Sequence, residues 1–224
     1  MTRVGRYRLV ELLGEGASGA VHRGIDEDGA EVAVKLLRAD RANEAVARAR
    51  FLREARIAAA IGSPHLVPVL DAGDSGEFAY LVLPLFRGGS LADRIRSEGP
   101  LGLDTTLDLA AQLAKGLDLL HEHQILHRDV KPSNVLLDDE GTAALTDFGL
   151  ARSVDSTRLT REGQLLGTVH YLAPELIEGH EATRASDIYA LGCVLFECLA
   201  GEPPFTGTSP AEIGFAHLVE PPPD

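Results

Sequence analysis

Two cysteines in 224 residues, Cys193 and Cys198, are too few for a disulfide framework, and no paired spacing suggests zinc. Apolar runs long enough to cross a bilayer are also missing. The most apolar stretch, residues 188–200, is too short and contains Glu197, so it reads as a buried core helix. The N-terminus, Met-Thr-Arg-Val-Gly-Arg-Tyr, lacks the apolar stretch of a signal peptide. These absences predict a cytoplasmic chain with reduced thiols and no membrane segment. Basic residues are scarce, 21 Lys and Arg against 34 Asp and Glu, a formal charge of −13. Nucleic acid and anionic membranes need basic surface to neutralise phosphates, so neither is an expected partner. Lysine is scarcest of all: only Lys35, Lys115 and Lys131 occur. Where arginine is the habit, a lysine has a reason. Repeats and low-complexity tracts are absent too.

What is present is ordinary globular material, 45% hydrophobic and 25% charged, in a chain long enough to bury a real core. The first eighty-odd residues read as strands over 7–13, 20–24, 31–37, 66–70 and 78–83, with Asp28-Gly29 as a hairpin turn. One helical pattern, 43–61, interrupts them and stops at Gly62-Ser63-Pro64. Helices dominate afterwards: 90–96, a long one over 104–123 capped by Asp104, the apolar helix 187–201, and a short one over 211–218. A loop-rich stretch, 125–179, carries most of the unusual residues. A β-rich lobe followed by a larger helical lobe predicts an α+β fold.

The chemistry sits in five places. Gly14-Glu15-Gly16-Ala17-Ser18-Gly19-Ala20-Val21 is a glycine-rich hairpin that lets backbone approach phosphate oxygens. A Rossmann turn has a similar pattern but opens a helix, whereas a strand follows here. Val32-Ala33-Val34-Lys35 puts a small residue and a lysine on one strand face. His127-Arg128-Asp129-Val130-Lys131-Pro132-Ser133-Asn134 brings a carboxylate, an ammonium and an amide into one loop, and fits H-R-D-x-K-x-x-N. Asp147-Phe148-Gly149 begins 18 residues after Asp129 and supplies a carboxylate for magnesium. Ala173-Pro174-Glu175 closes the segment. Asp187, at the start of the apolar helix, is placed to accept hydrogen bonds from the backbone of the His127 loop, or simply to serve the helix dipole.

In this order, over nearly the whole chain, these motifs resemble the eukaryotic-type protein kinases. Lys131 and the Gly167-Thr168 pair are similar to the serine/threonine branch. The phrases Gly167-Thr168-Val169-His170-Tyr171-Leu172-Ala173-Pro174-Glu175 and Leu199-Ala200-Gly201-Glu202-Pro203-Pro204-Phe205 resemble bacterial members most. Two of the three lysines fall inside catalytic motifs, where a compact ammonium is not replaced by a planar guanidinium.

The resemblance implies one bilobal kinase domain over 1–224, with an N-lobe at about 1–83, a hinge at 84–89 and a C-lobe from 90. It implies transfer of the ATP γ-phosphate to protein Ser or Thr hydroxyls, with Mg²⁺. Asp129 would orient the substrate hydroxyl and Lys131 would steady the γ-phosphate, while Asn134 and Asp147 would hold magnesium. Lys35 would contact the α- and β-phosphates and pair with Glu54, favoured over Glu44, which sits at the helix start. Thr168 would bond Asp129 and Lys131. The glycine loop from Gly14 to Val21 would cover the phosphates. Leu13, Val21, Ala33 and Leu136 would sandwich adenine beside Leu83, and Pro84 and Phe86 would supply the hinge carbonyl and N–H. Proline keeps its carbonyl, so Pro84 is compatible with adenine binding.

Alternatives are a pseudokinase or nucleotide-binding signalling scaffold, and a small-molecule phosphotransferase. The intact motif residues argue against the former, and the 167–175 segment against the latter. The resemblance also implies further helices after residue 218 and an arginine paired with Glu175, yet no arginine follows Arg184. The chain therefore reads as a fragment of a longer kinase, one compatible with a distal membrane anchor, or as a naturally short one. Glu175 is expected to lack a partner or to find another.

Arg128, by the same resemblance, belongs to a basic pocket for a phosphate on the loop bearing Ser153, Ser156, Thr157 and Thr160, with Glu162 a partial phosphate mimic. Thr160, seven residues before Gly167, is the expected autophosphorylation site. Mass spectrometry after incubation with Mg-ATP should find phosphate there, and its absence refutes the assignment.

Overall fold

The computed structural model describes residues 2–16, 19–37, 52, 61–75, 79–148 and 169–223. The chain divides into two compact units, Met1–Phe86 and Arg87–Asp224.

The first unit is built on a six-stranded antiparallel sheet. Its strands are β1 (Arg3–Val4), β2 (Tyr7–Gly16), β3 (Gly19–Ile25), β4 (Glu31–Leu37), β5 (Asp71–Asp74) and β6 (Ala79–Pro84), in the order β1-β2-β3-β4-β6-β5. The β3–β4 turn is held by Asp26, whose Oδ1 accepts from the N–H groups of Asp28 at 2.9 Å and Ala30 at 2.8 Å. Gly29 adopts φ 87° there, a conformation open to glycine without a side-chain penalty. Alternation then divides β4 between two faces. Val32, Val34 and Leu36 join Val4, Tyr7, Tyr80 and Val82 in the core, which sends Ala33 and Lys35 to the opposite face. Gly5 and Gly73 flank the Tyr80 phenol so closely that a Cβ on either would overlap it.

Two strand boundaries depart from expectation. No strand runs over 66–70, where Pro68 offers no N–H to a ladder; β5 begins at Asp71, after Leu70 N donates to Val82 O at 2.8 Å. Strand β2 continues through Gly14 and Gly16 instead of stopping at residue 13, with register shifts between Leu9 and Glu11 and between Leu12 and Gly14. The helix expected over 43–61 lies almost wholly outside the described residues.

The second unit is helical, with one small hairpin. Helix α1 (Leu91–Glu98) starts at a capping box: Ser90 Oγ accepts from Asp93 N at 3.1 Å, and Asp93 Oδ2 accepts from Ser90 N at 3.2 Å. Helix α2 (Leu103–Glu122) is preceded by Gly102, so Asp104 is not its cap but an acid in its first turn, where it still favours the dipole. A 3₁₀ turn (Pro132–Asn134) leads into β7 (Val135–Leu137), which pairs antiparallel with β8 (Ala143–Leu145). Helix α3 (Pro174–Ile177) is a single turn. Helix α4 (Arg184–Ala200) starts at Thr183 and ends at Gly201, φ 82°.

Burial of α4 is one-sided. Ala190, Leu191, Cys193, Val194 and Cys198 are buried, while Ile188 and Leu199 are 49% and 46% exposed, against the expectation of a wholly buried helix. Burial pushes the Cys193 and Cys198 thiols up to about 12 and about 11, so both stay protonated and inert. No helix among the described residues is long and apolar enough to cross a membrane.

Helix α5 (Pro210–Val219) packs Ile213 and Ala216 against Val169 and Phe205. Beside them His217 is 5% exposed and shares a 2.7 Å hydrogen bond between Nδ1 and the Tyr189 hydroxyl. Its Nε2 has no partner among the described residues. Burial, and next the neighbouring His170, hold His217 below its ordinary value of 6.5. A histidine kept neutral by folding contributes stability that is present above the unfolded value and lost as pH falls below it. The thermal midpoint should therefore drop between about pH 7.5 and about pH 5.5, and the drop should be shallower in His217→Phe.

Candidate active site

On the first unit, strand pairing gathers the predicted residues onto one face. Gly14 faces Val21, Val21 faces Lys35, Lys35 faces Leu81, and Ala33 faces Leu83. Directly paired residues project to the same side of a sheet, so Val21, Ala33, Lys35 and Leu83 share the face opposite Val34 and Val82. Lys35 is only 2% exposed, which a charged strand residue tolerates only where its ammonium is satisfied. Leu13, Gly14 and Glu15 are exposed at the tip of β2, Gly19 (φ 143°) and Ala20 open β3, and Pro84 ends β6 opposite Val32. Phe86, half-buried, is the unit's last residue.

On the second unit the 3₁₀ turn folds the loop back on itself. Asn134 Nδ2 donates to the Asp129 carbonyl at 2.8 Å and to Asp129 Oδ2 at 2.9 Å, and Lys131 Nζ reaches the same Oδ2 at 2.9 Å. Asp129 Oδ1 takes no hydrogen bond among the described residues. Among the described residues the carboxylate is thus fixed by one oxygen only.

The β7–β8 hairpin brings Asp147 to this loop. Val135 faces Leu145, and Thr146 N donates to Asn134 O at 2.9 Å, so Asn134 and Asp147 emerge at the same end of the hairpin. The Asn134 amide nitrogen is committed to Asp129, and its oxygen has no hydrogen bond among the described residues. That oxygen and the Asp147 carboxylate are hard donors that fit magnesium, which is completed by phosphate and water. No group of three or more His, Cys, Asp or Glu suited to a metal occurs among the described residues. Leu136, half-buried on β7, bridges to Ser90. Gly88 packs against the same strand: a Cβ there would lie 2.6 Å from Leu137 O and 2.8 Å from Asp138 O.

Arg128 and Asp147 both have positive φ, 67° and 64°. Such strain costs about 1–3 kcal/mol per non-glycine residue and persists only where the surroundings enforce it. Asp187 supplies the restraint at Arg128. Its Oδ1 accepts from Arg128 N at 2.8 Å, and its Oδ2 from His127 N at 2.9 Å and from His121 Nε2 at 2.8 Å. Asp187 is 1% exposed, so the reading that it only serves the helix dipole is too weak. His121 was not anticipated. The available signal was a histidine on the buried stripe of α2, six residues before His127. His127 is fully buried, and burial holds it below its ordinary value, hence neutral; its Nδ1 accepts from Asp129 N at 3.3 Å. Its ring lies 6.3 Å from that of Phe148.

Glu175 does find a partner, the Ser186 hydroxyl. Ala17, Ser18, Glu54, Gly149 and Thr168 lie outside the described residues, as do Ser153, Ser156, Thr157, Thr160 and Glu162.

A family model described as "Protein kinase domain" matches residues 7–220. Among curated relatives, the chain is 41% identical over 217 residues to the serine/threonine-protein kinase PrkC of Bacillus subtilis, covering 96% of this chain and 33% of that protein. It is 39% identical over 217 residues to a probable serine/threonine-protein kinase PknB of Lactococcus lactis, covering 96% and 35%. To the serine/threonine-protein kinase PknA of Mycobacterium tuberculosis it is 38% identical over 229 residues, covering 100% and 53%. The chain spans about a third to a half of the length of these relatives.

Asp187→Asn presents an amide N–H₂ to donors that need an acceptor. Losing a hydrogen bond to a charged group costs roughly 1.5–3 kcal/mol, so the urea midpoint should fall by that equivalent. An unchanged midpoint would show that Asp187 does not hold the loop.

Proposed function

The chain belongs to the protein kinase family, and from that membership we propose that it acts in the cytoplasm and transfers the γ-phosphate of ATP to Ser or Thr hydroxyls of protein substrates. The reading treats 1–224 as one kinase domain, with an N-lobe, a hinge at 84–89 and a C-lobe. The observation that carries it is Asp129, held through Oδ2 by Lys131 and Asn134, while Oδ1, which takes no hydrogen bond among the described residues, would accept a hydroxyl proton.

A hydroxyl hydrogen-bonded to Oδ1 is oriented for in-line attack, and its proton moves to the carboxylate as the new P–O bond forms and the bond to ADP breaks. Lys131, already beside Asp129, steadies the transferring phosphoryl group. Lys35 holds the α- and β-phosphates from its buried strand position and pairs with Glu54. The Gly14 to Val21 turn covers them with backbone. Leu13, Val21, Ala33, Leu83 and Leu136 contact adenine, with the Pro84 carbonyl and Phe86 N–H reading its edge. Thr168 bonds Asp129 and Lys131. Asn134 and Asp147 would hold Mg²⁺, which when bound would supply charge neutralisation at the phosphates.

Incubation with labelled ATP and Mg²⁺, with and without a generic protein substrate, tests this. Wild type should label protein, and Asp129→Asn should lower the rate by about 10²- to 10⁴-fold, the usual worth of a positioned base. Nucleotide binding without label on any protein would instead make the chain a pseudokinase. Label confined to small molecules would make it a small-molecule phosphotransferase.

A further inference from the structure

Ser186 occupies two hydrogen-bonding roles at once. Its Oγ accepts from Thr183 N at 3.0 Å, which caps α4, and its O–H donates to Glu175 Oε1. A hydroxyl suits this position because it is both donor and acceptor. Ser186 is 3% exposed, and it is the only hydrogen-bond partner of the Glu175 carboxylate among the described residues. Glu175 belongs to the one-turn α3, too short to hold itself in place. The neighbour of Ser186 in sequence is Asp187, which fixes the loop bearing Asp129. One turn of α4 therefore grips α3 with one residue and the Asp129 loop with the next. Ser186 also lines a small pocket together with Asp129, Tyr171, Leu172 and Leu176.

We propose that Ser186 is a positioning residue for the protein substrate: by holding Glu175 it keeps Leu172 and Leu176 at a set distance from Asp129, and so sets the surface that residues flanking the acceptor hydroxyl meet. This rests on the kinase reading. The hydroxyl–carboxylate pair is the side-chain contact of Glu175 among the described residues. It acts on protein binding and leaves the nucleotide-contacting residues of β3 and β4 untouched.

The test uses Ser186→Ala, Glu175→Ala and the double variant, because Glu175→Ala removes the tether while leaving Ser186 free to cap α4. Each single change should raise KM for a protein substrate about tenfold, equivalent to about 1.4 kcal/mol, with KM for ATP unchanged. The double variant should be no worse than the singles, since they break one interaction. Equal increases in both KM values, or additive effects, would overturn the proposal. Amide hydrogen exchange provides a second measurement, independent of turnover. Exchange over 169–177 should accelerate about tenfold in both single variants, while that of 127–137 stays unchanged. Uniform acceleration across the second unit, or none, would overturn it. A wild-type chain that labels no protein would refute the kinase reading, leaving the exchange pattern to test the tether.

Discussion

The second unit depends on one buried carboxylate. Asp187 takes three hydrogen bonds, two from the backbone of His127 and Arg128 and one from the His121 ring. A carboxylate this deeply buried is unstable alone and is stabilised by hydrogen bonds to both of its oxygens. Its need for donors is what keeps Arg128 in a left-handed conformation that an arginine avoids. With Arg128 turned that way, Asp129 follows in a position where Lys131 and Asn134 reach a single oxygen. The orientation of Asp129 is thus a consequence of a helix start almost 60 residues later in the chain.

The same helix turn organises a second contact. Ser186 reaches α3 while Asp187 reaches the loop. Neighbouring residues on a helix project about 100° apart, so they address different parts of the unit without competing. Nothing in this arrangement needs a long element. Helix α3 is a single turn, the hairpin β7–β8 has three residues per strand, and the loop is mostly irregular. Polar side chains close the hydrogen-bond inventory that regular structure would otherwise satisfy.

The first unit solves a different problem by a simpler rule. Period two along β4 sends Val32, Val34 and Leu36 into the core and leaves Ala33 and Lys35 on the other face. That division was legible in Val32-Ala33-Val34-Lys35, because alternation is a local property of the strand. The hairpin signal at Asp28-Gly29 and the limits of β4 were equally legible. The expected strand over 66–70 was not there, since its apolar residues fit a strand but Pro68 and the pairing of β6 place the ladder further on. One-sided burial of α4 was also hidden, because a run of apolar residues does not say which of them meet a neighbour.

By itself the amino-acid sequence determined the order of motifs, the family resemblance, the residue types at the candidate site and the face of β4 on which Lys35 lies. These depend on short spacings and on periodicity, which need no knowledge of distant contacts. Tertiary structure alone decided that His121 joins Asp187, that Gly88 abuts the backbone of β7, that Ser186 meets Glu175, and which oxygen of Asp129 Lys131 and Asn134 reach. Each of these joins residues brought together by packing, and a hydrogen bond between them depends on tenths of an ångström that sequence spacing does not encode.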